Sequence, residues 1–234
     1  MKRLVIFDLD GTLVDSRATM EAAFLQAYAE TVGQGDPPLE DFFGLLGESF
    51  PRILEVLDLP MAMWEPFRAA SRARAGEIRL YPGLLRLCEL LRRGGCRLAI
   101  LTGKDRERTV ELLDRLAVLH LFDTVVTSSD GLPAKPDPEA VLAICDRLAV
   151  PPELTVMVGD AAFDVLAGKR AGVRTVACGW GIGTPEGLRE AGPDESVDSV
   201  ADLERALDTW RAGSAGAPRS VVIGGGRAVG GGHE

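Results

Sequence analysis

Short apolar runs alternate with longer amphipathic stretches along most of the chain. Leu4-Val5-Ile6-Phe7 leads into Asp8-Leu9-Asp10-Gly11-Thr12, and further runs span Arg97 to Leu101, Thr124 to Thr127, Leu154 to Val158 and Val173 to Ala177. Runs of this length, closed by small or polar residues such as Thr102, Ser128 and Gly159-Asp160, suit strands buried on both faces. Between them the spacing predicts helices over Leu84 to Leu91, Arg106 to Leu116, Pro138 to Leu148 and Phe163 to Ala171, several stopped by glycine. Strand and helix in alternation predict an α/β fold built on a doubly wound parallel sheet. In such sheets ligands bind beyond the carboxyl ends of the strands, where all these polar endings fall.

Residues 15–80 break the alternation. Their pattern is almost wholly helical, punctuated at Gly33 to Pro38, Leu59-Pro60 and Glu65-Pro66. This predicts a helical cap inserted after the first strand, with hinges near Val14 to Arg17 and Leu80 to Gly83. The catalytic core then comprises residues 1–14 and 81–212, and the glycine-rich residues 213–234 are expected to form a disordered tail. Within that tail Val221-Val222-Ile223-Gly224-Gly225-Gly226 is similar to the start of a dinucleotide-binding turn. Val229 replaces the third glycine, however, and the chain ends before a helix could follow.

Composition narrows the function. The formal net charge of −9 argues against nucleic acid or an anionic membrane as partner, since either needs a positive face. A small anionic substrate needs only local positive charge. Cys88, Cys96, Cys145 and Cys178 are far apart, form no C-x-x-C pair, and have only His120 and His233 to help them hold zinc, so they read as reduced core thiols. The apolar stretch after Met1-Lys2-Arg3 is too short for a signal or membrane segment, so a cytoplasmic protein is expected.

Asp8 and Asp10 end a buried strand with one residue between them, and carboxylates so close repel unless a cation or proton intervenes. Asp160 follows another apolar run, and Asp164 lies one helical turn beyond it, on the same face. Four acids with few nitrogen or sulfur donors nearby suit a hard cation, Mg²⁺ above all. The plainer alternatives are an Asx turn at Asp10 and a helix cap at Asp160. Thr102-Gly103 could hold phosphate oxygens through a hydroxyl and backbone amides, or could merely cap a helix. Lys135 sits in the proline-stiffened Ala134-Lys135-Pro136-Asp137-Pro138, where the alternative is a solvated surface lysine.

Taken together, Asp8-Leu9-Asp10-Gly11-Thr12, Thr102, Lys135-Pro136 and Gly159-Asp160-x-x-x-Asp164 resemble, in order and spacing, the four motifs of the haloacid dehalogenase superfamily. The resemblance runs over roughly residues 3–205 and is closest to the phosphoglycolate phosphatase and beta-phosphoglucomutase branch. Tyr28 to Phe67 is also similar to phosphatase-like proteins of 3-amino-5-hydroxybenzoate antibiotic pathways. The resemblance implies a Mg²⁺-dependent phosphatase acting on a small phosphorylated metabolite, as a monomer or homodimer. It implies that Asp8 is the nucleophile and Asp10 the acid and base, and that Thr102, Gly103 and Lys135 bind phosphate. Asp8, Asp160 and the Asp10 carbonyl would hold the metal, supported by Asp164. Phe43, Gly47, Glu48, Ser49 and Arg52 would form a cap specificity loop, with Glu48 standing where the antibiotic-pathway proteins tend to be basic.

Other readings stay open at this point. A dehalogenase would share Asp8 but has no alkoxide for Asp10 to protonate. A phosphomutase would keep all four motifs, and a non-enzymatic protein on this fold would be expected to lack at least one of these groups.

Overall fold

A computed structural model of the chain describes residues 2–213. The predicted tail beyond Gly213, its dinucleotide-like turn, Val229 and His233 lie outside the described residues. The chain runs through β1 (Leu4–Phe7), β2 (Val14–Asp15), α1 (Arg17–Thr31), α2 (Leu39–Gly44), α3 (Phe50–Val56), α4 (Trp64–Ala73) and β3 (Arg79–Leu80). Helix and strand then alternate through α5 (Leu84–Arg93), β4 (Arg97–Leu101), α6 (Arg106–Arg115), β5 (Thr124–Val126), α7 (Glu139–Leu148) and β6 (Thr155–Gly159). The remainder is α8 (Ala162–Arg170), β7 (Arg174–Cys178), α9 (Pro185–Ala191), β8 (Glu195–Val197) and α10 (Val200–Gly213).

Six strands form one sheet in the order β5-β4-β1-β6-β7-β8, with all neighbours parallel. The chain winds from β1 out to β5 and then returns to the far side of β1 for β6 to β8. The winding reverses beside β1, and that reversal opens the ligand crevice of such sheets. Phe7 is level with both Ile100 and Val158. Asp8 therefore leaves β1 one residue below the level of Thr102 and Asp160.

The apolar runs are continuous because both sheet faces are covered. Val5, Phe7, Leu98, Ile100, Val156 and Val158 pack with helical residues such as Leu87 and Leu203. The alternate positions Leu4, Ile6, Ala99, Leu101 and Met157 pack with Val141 and Ile144. All four cysteines are free and buried, and burial pushes the Cys88 thiol up to about 12. No described helix is long and apolar enough to cross a membrane.

The inserted helices form a second, aromatic core. Phe24 stacks on Phe42 at 4.4 Å and Phe50 on Phe67 at 3.7 Å between ring centroids. Ile182, from the loop after β7, joins this cluster and ties the cap to the sheet. β2 and β3 pair antiparallel, Val14 with Leu80 and Asp15 with Arg79, so the chain enters and leaves the cap through one narrow ribbon.

Boundaries differ from the sequence pattern where polar side chains intervene. β5 stops at Val126 because the Thr127 hydroxyl accepts from the Ser129 amide and Asp130 accepts from the Thr127 amide, capping a short 3₁₀ turn. β6 begins at Thr155 because Pro151-Pro152 open another such turn. β8 and α9 escape the pattern: only Val197 of β8 is buried, too little for a visible alternation.

Candidate active site

Asp8 follows β1 directly and is held there by its amide, which donates to the Val158 carbonyl at 2.9 Å. Its Oδ1 accepts from Lys135 Nζ at 2.6 Å, and the same ammonium reaches Asp164 Oδ1, also at 2.6 Å, and the Leu101 carbonyl at 3.4 Å. Lys135 is thus a buried ion-pair partner, only 2% exposed, and not the surface lysine of the alternative reading. Asp164 Oδ2 accepts from the Ala161 amide at 3.0 Å, so the first turn of α8 locks this carboxylate in place.

Asp160 is fixed more tightly still. Its Oδ1 accepts from the Thr12 hydroxyl at 2.6 Å, and its Oδ2 accepts from the Ile182 and Gly183 amides at 2.7 and 3.3 Å. The turn that brings Thr12 here depends on Gly11, whose φ is +86°; a Cβ there would lie 2.2 Å from Asp160 Oδ2. Both the left-handed backbone and the contact exclude a side chain.

One carboxylate oxygen from each of Asp8, Asp160 and Asp164 lies within 4.8 Å of the others, all buried. Of the four predicted acids, these three converge. The Asp10 side chain turns away: its Oδ2 pairs with Lys104 Nζ at 2.9 Å, while Oδ1 is buried with no partner among the described residues.

The electrostatics follow from three clustered buried acids, two of which share one lysine. Burial and the Asp164 charge push Asp160 up to about 6, against the lowering effect of the Thr12 and Ile182 hydrogen bonds. Burial also pushes Asp8 well up, partly opposed by Lys135. Lys135 is held above the ordinary lysine value: burial disfavours its charge, but Asp164 and Asp8 outweigh that. The excess negative charge and the all-oxygen donor set fit a hard cation.

Thr102 and Gly103 leave β4 beside Asp8. The Thr102 hydroxyl accepts from the Lys104 amide at 3.2 Å. A Cβ on Gly103 would lie 2.4 Å from the Glu48 carbonyl, so the cap loop presses directly on this backbone. Between sheet and cap is a cavity of about 50 Å³, lined on the sheet side by Asp8, Asp10, Thr102 and Asp160 and on the cap side by Gly47, Glu48 and aromatic rings. That is room for a few water-sized groups.

The five cap candidates separate here. Gly47 and Glu48 line the cavity, and burial pushes the Glu48 carboxyl up. Ser49 borders an adjoining cavity with Thr102 and Lys135. Phe43 is instead buried in the cap core with the Arg17 guanidinium 4.3 Å above its ring. Arg52 pairs with Glu55 at 2.9 Å in solvent.

A family model described as haloacid dehalogenase-like hydrolase matches residues 5–178. The chain belongs to this family. Among related haloacid dehalogenase-like hydrolases, the pyrophosphatase PpaX of Halalkalibacterium halodurans is 32% identical over 204 residues, covering 85% of this chain and 94% of that protein. Phosphoglycolate phosphatase 1 of Pseudomonas aeruginosa is 31% identical over 225 residues, covering 89% and 80%. A hydrolase from Pseudomonas syringae superposes with a TM-score of 0.79 at 26% identity, covering 89% of this chain and 98% of its own.

Sequence reasoning passed over Lys104 and Arg108, which the fold brings to the site, and gave Thr12, the last residue of the Asp8 to Thr12 motif, no role of its own. Lys104, two residues beyond Thr102, and Arg108, three beyond the α6 cap Asp105, are two of 26 lysines and arginines. No periodicity marks these two as buried.

Proposed function

We propose that this family member is a Mg²⁺-dependent phosphatase that hydrolyses a small phosphomonoester through an aspartyl-phosphate on Asp8. The supporting observation is the convergence of Asp8, Asp160 and Asp164 at the carboxyl ends of β1 and β6, with Lys135 bridging Asp8 and Asp164. In this reading residues 1–14 and 81–212 form the catalytic core and residues 15–80 the cap. The relatives named as phosphatases agree with that chemistry.

Asp8 attacks phosphorus with Oδ2 while Lys135 holds Oδ1, forming the acyl-phosphate bond as the ester P–O bond breaks. Asp10 gives a proton to the departing alkoxide. It then takes a proton from the water that attacks phosphorus and releases phosphate, restoring the Asp8 carboxylate. Thr102, the Gly103 amide and Lys135 bind the phosphoryl oxygens, so much of the catalysis is positioning. Asp8, Asp160 and the Asp10 carbonyl would hold Mg²⁺, with Asp164 orienting Lys135. The ion supplies charge neutralisation for the phosphoryl group and the clustered acids. The cap excludes water while the cavity is closed.

The test is phosphate release from a panel of phosphomonoesters, with Mg²⁺ or with EDTA. Release that needs Mg²⁺ is expected; release unaffected by EDTA, or none from any ester, counts against the reading.

A further inference from the structure

The cavity wall is informative about what leaves. Beyond the phosphoryl end, the cap contributes Phe42, Phe50 and Phe67, and Thr102 is the one lining side chain with a neutral hydroxyl. No lining residue is Asn, Gln, Ser, Tyr or His. The wall's other hydrogen-bonding side chains are charged: Asp8, Asp10, Glu48, Asp160, Lys104 and Arg108.

The cationic groups on this wall are Lys104 and Arg108. Lys104 is paired with Asp10. Arg108 is 8% exposed and rigidly placed. Its Nε donates to Asp105 Oδ2 at 2.5 Å, its Nη1 donates to the cap residue Ser71 at 3.1 Å, and its guanidinium lies 5.4 and 5.6 Å from the rings of Phe67 and Trp64. Among the described residues Nη2 has no hydrogen-bond partner. Asp105 does not belong to Arg108 alone, since Arg68 Nε also faces it at 3.9 Å. Glu48 also lines the cavity; burial pushes its carboxyl up, against the lowering effect of Arg52 and Lys135. Lys104 and Arg108 also border an outer cavity of about 160 Å³ that contains Arg72, Arg115 and Glu111. Glu111 is engaged by Arg72 at 2.6 Å, so the lining from that side toward the acids is mainly cationic.

We propose that Arg108 is a specificity residue that recognises negative charge on the leaving group, making the substrate a compact phosphate with a second anionic group. This rests on the phosphatase reading above and narrows it: sugar phosphates are disfavoured, and a carboxylate or a second phosphoryl group is favoured. Ser71 completes the guanidinium's fixation from the cap, so recognition of the anion is coupled to closure. With Nε held by Asp105 and Nη1 by Ser71, Nη2 is the nitrogen left to donate to either anion, and lysine would not reproduce this placement.

The experiment measures kcat and KM for phosphoglycolate, pyrophosphate, ethyl phosphate and glucose 6-phosphate, in wild type, Arg108→Gln and Arg108→Lys. In wild type one of the two doubly anionic substrates should lead, and which one distinguishes carboxylate from phosphoryl. Arg108→Gln should lower its kcat/KM about 100-fold, mostly through KM, while leaving ethyl phosphate within about threefold. Arg108→Lys should recover only part of the loss. A purely structural role would slow every ester alike, and that result, or a wild-type preference for glucose 6-phosphate, overturns the proposal. Should Arg108→Gln melt before assay, the Arg108→Lys ratios decide by the same criterion. If wild type hydrolyses none of the four, the phosphatase reading fails. The anion site then stands only if phosphoglycolate raises the wild-type melting temperature more than ethyl phosphate does and Arg108→Lys loses that difference.

Discussion

At the scale of single residues, the two aspartates of Asp8-Leu9-Asp10 take opposite surroundings. Asp8 stays at the strand end with Lys135, and Asp10 enters the turn and meets Lys104. Spacing announces that two carboxylates arrive together but not which lysine each will face, because both lysines come from distant loops. Gly11 sits at the centre of this turn. Gly11→Ala is expected to cost at least 1–2 kcal/mol from the left-handed backbone alone and more from the contact with Asp160. Gly95→Ala is the control: its φ is +82° with open space around it, so it should show the backbone cost alone. Denaturant unfolding of the two variants checks this, and comparable losses would mean that the approach to Asp160 does not matter. The aspartate motif and the Asp160 to Asp164 spacing were thus readable from sequence, whereas the contacts of Thr12, Lys104 and Arg108 were not. Their roles come from partners 148, 94 and 37 residues away.

At the scale of elements, the apolar runs foretold β1, β4, β6 and β7 because burial on both faces leaves an unbroken signature. β8 and α9 left none, and the cap was legible as helical but not in its packing. It meets the core through an ionic seam between α4 and α6. Arg68 meets Glu107 at 2.8 Å, and Arg72 meets Glu107 at 2.7 Å and Glu111 at 2.6 Å. These groups are about half exposed apart from Arg68, so each pair is weak and screened by salt. Arg72→Glu is expected to raise KM a few-fold with a larger effect at low ionic strength, and adding Glu111→Arg should restore most of it. Steady-state kinetics across a salt series reads this; identical KM values in all three proteins would remove the seam from cap closure.

At the scale of the whole molecule, the core carries its own pH dependence. Asp123 anchors the edge of the sheet by accepting from the Leu98 amide at 3.0 Å and from Arg92 and Arg97. Burial opposes its charge, but the Leu98 amide and the two arginines hold its carboxyl below the usual range. A depressed folded-state value means the native state releases its proton first. The resulting stability is present above the unfolded carboxylate value near 4 and is lost as pH falls through the lower native one. Asp123→Asn should therefore be less stable at pH 7 by about 1–3 kcal/mol, with the gap to wild type narrowing below about pH 4. A gap independent of pH would show that Asp123 acts through packing alone.

The account of function depends on Asp8 forming the bond to phosphorus. The most direct test compares phosphate release by wild type and Asp8→Asn under saturating Mg²⁺, with melting curves for both. A folded variant is expected, with a rate at least about a thousandfold lower, because a nucleophile has no substitute in the site. A folded Asp8→Asn protein that retains a substantial share of the wild-type rate would contradict it and would move the attack on phosphorus to another group or to water.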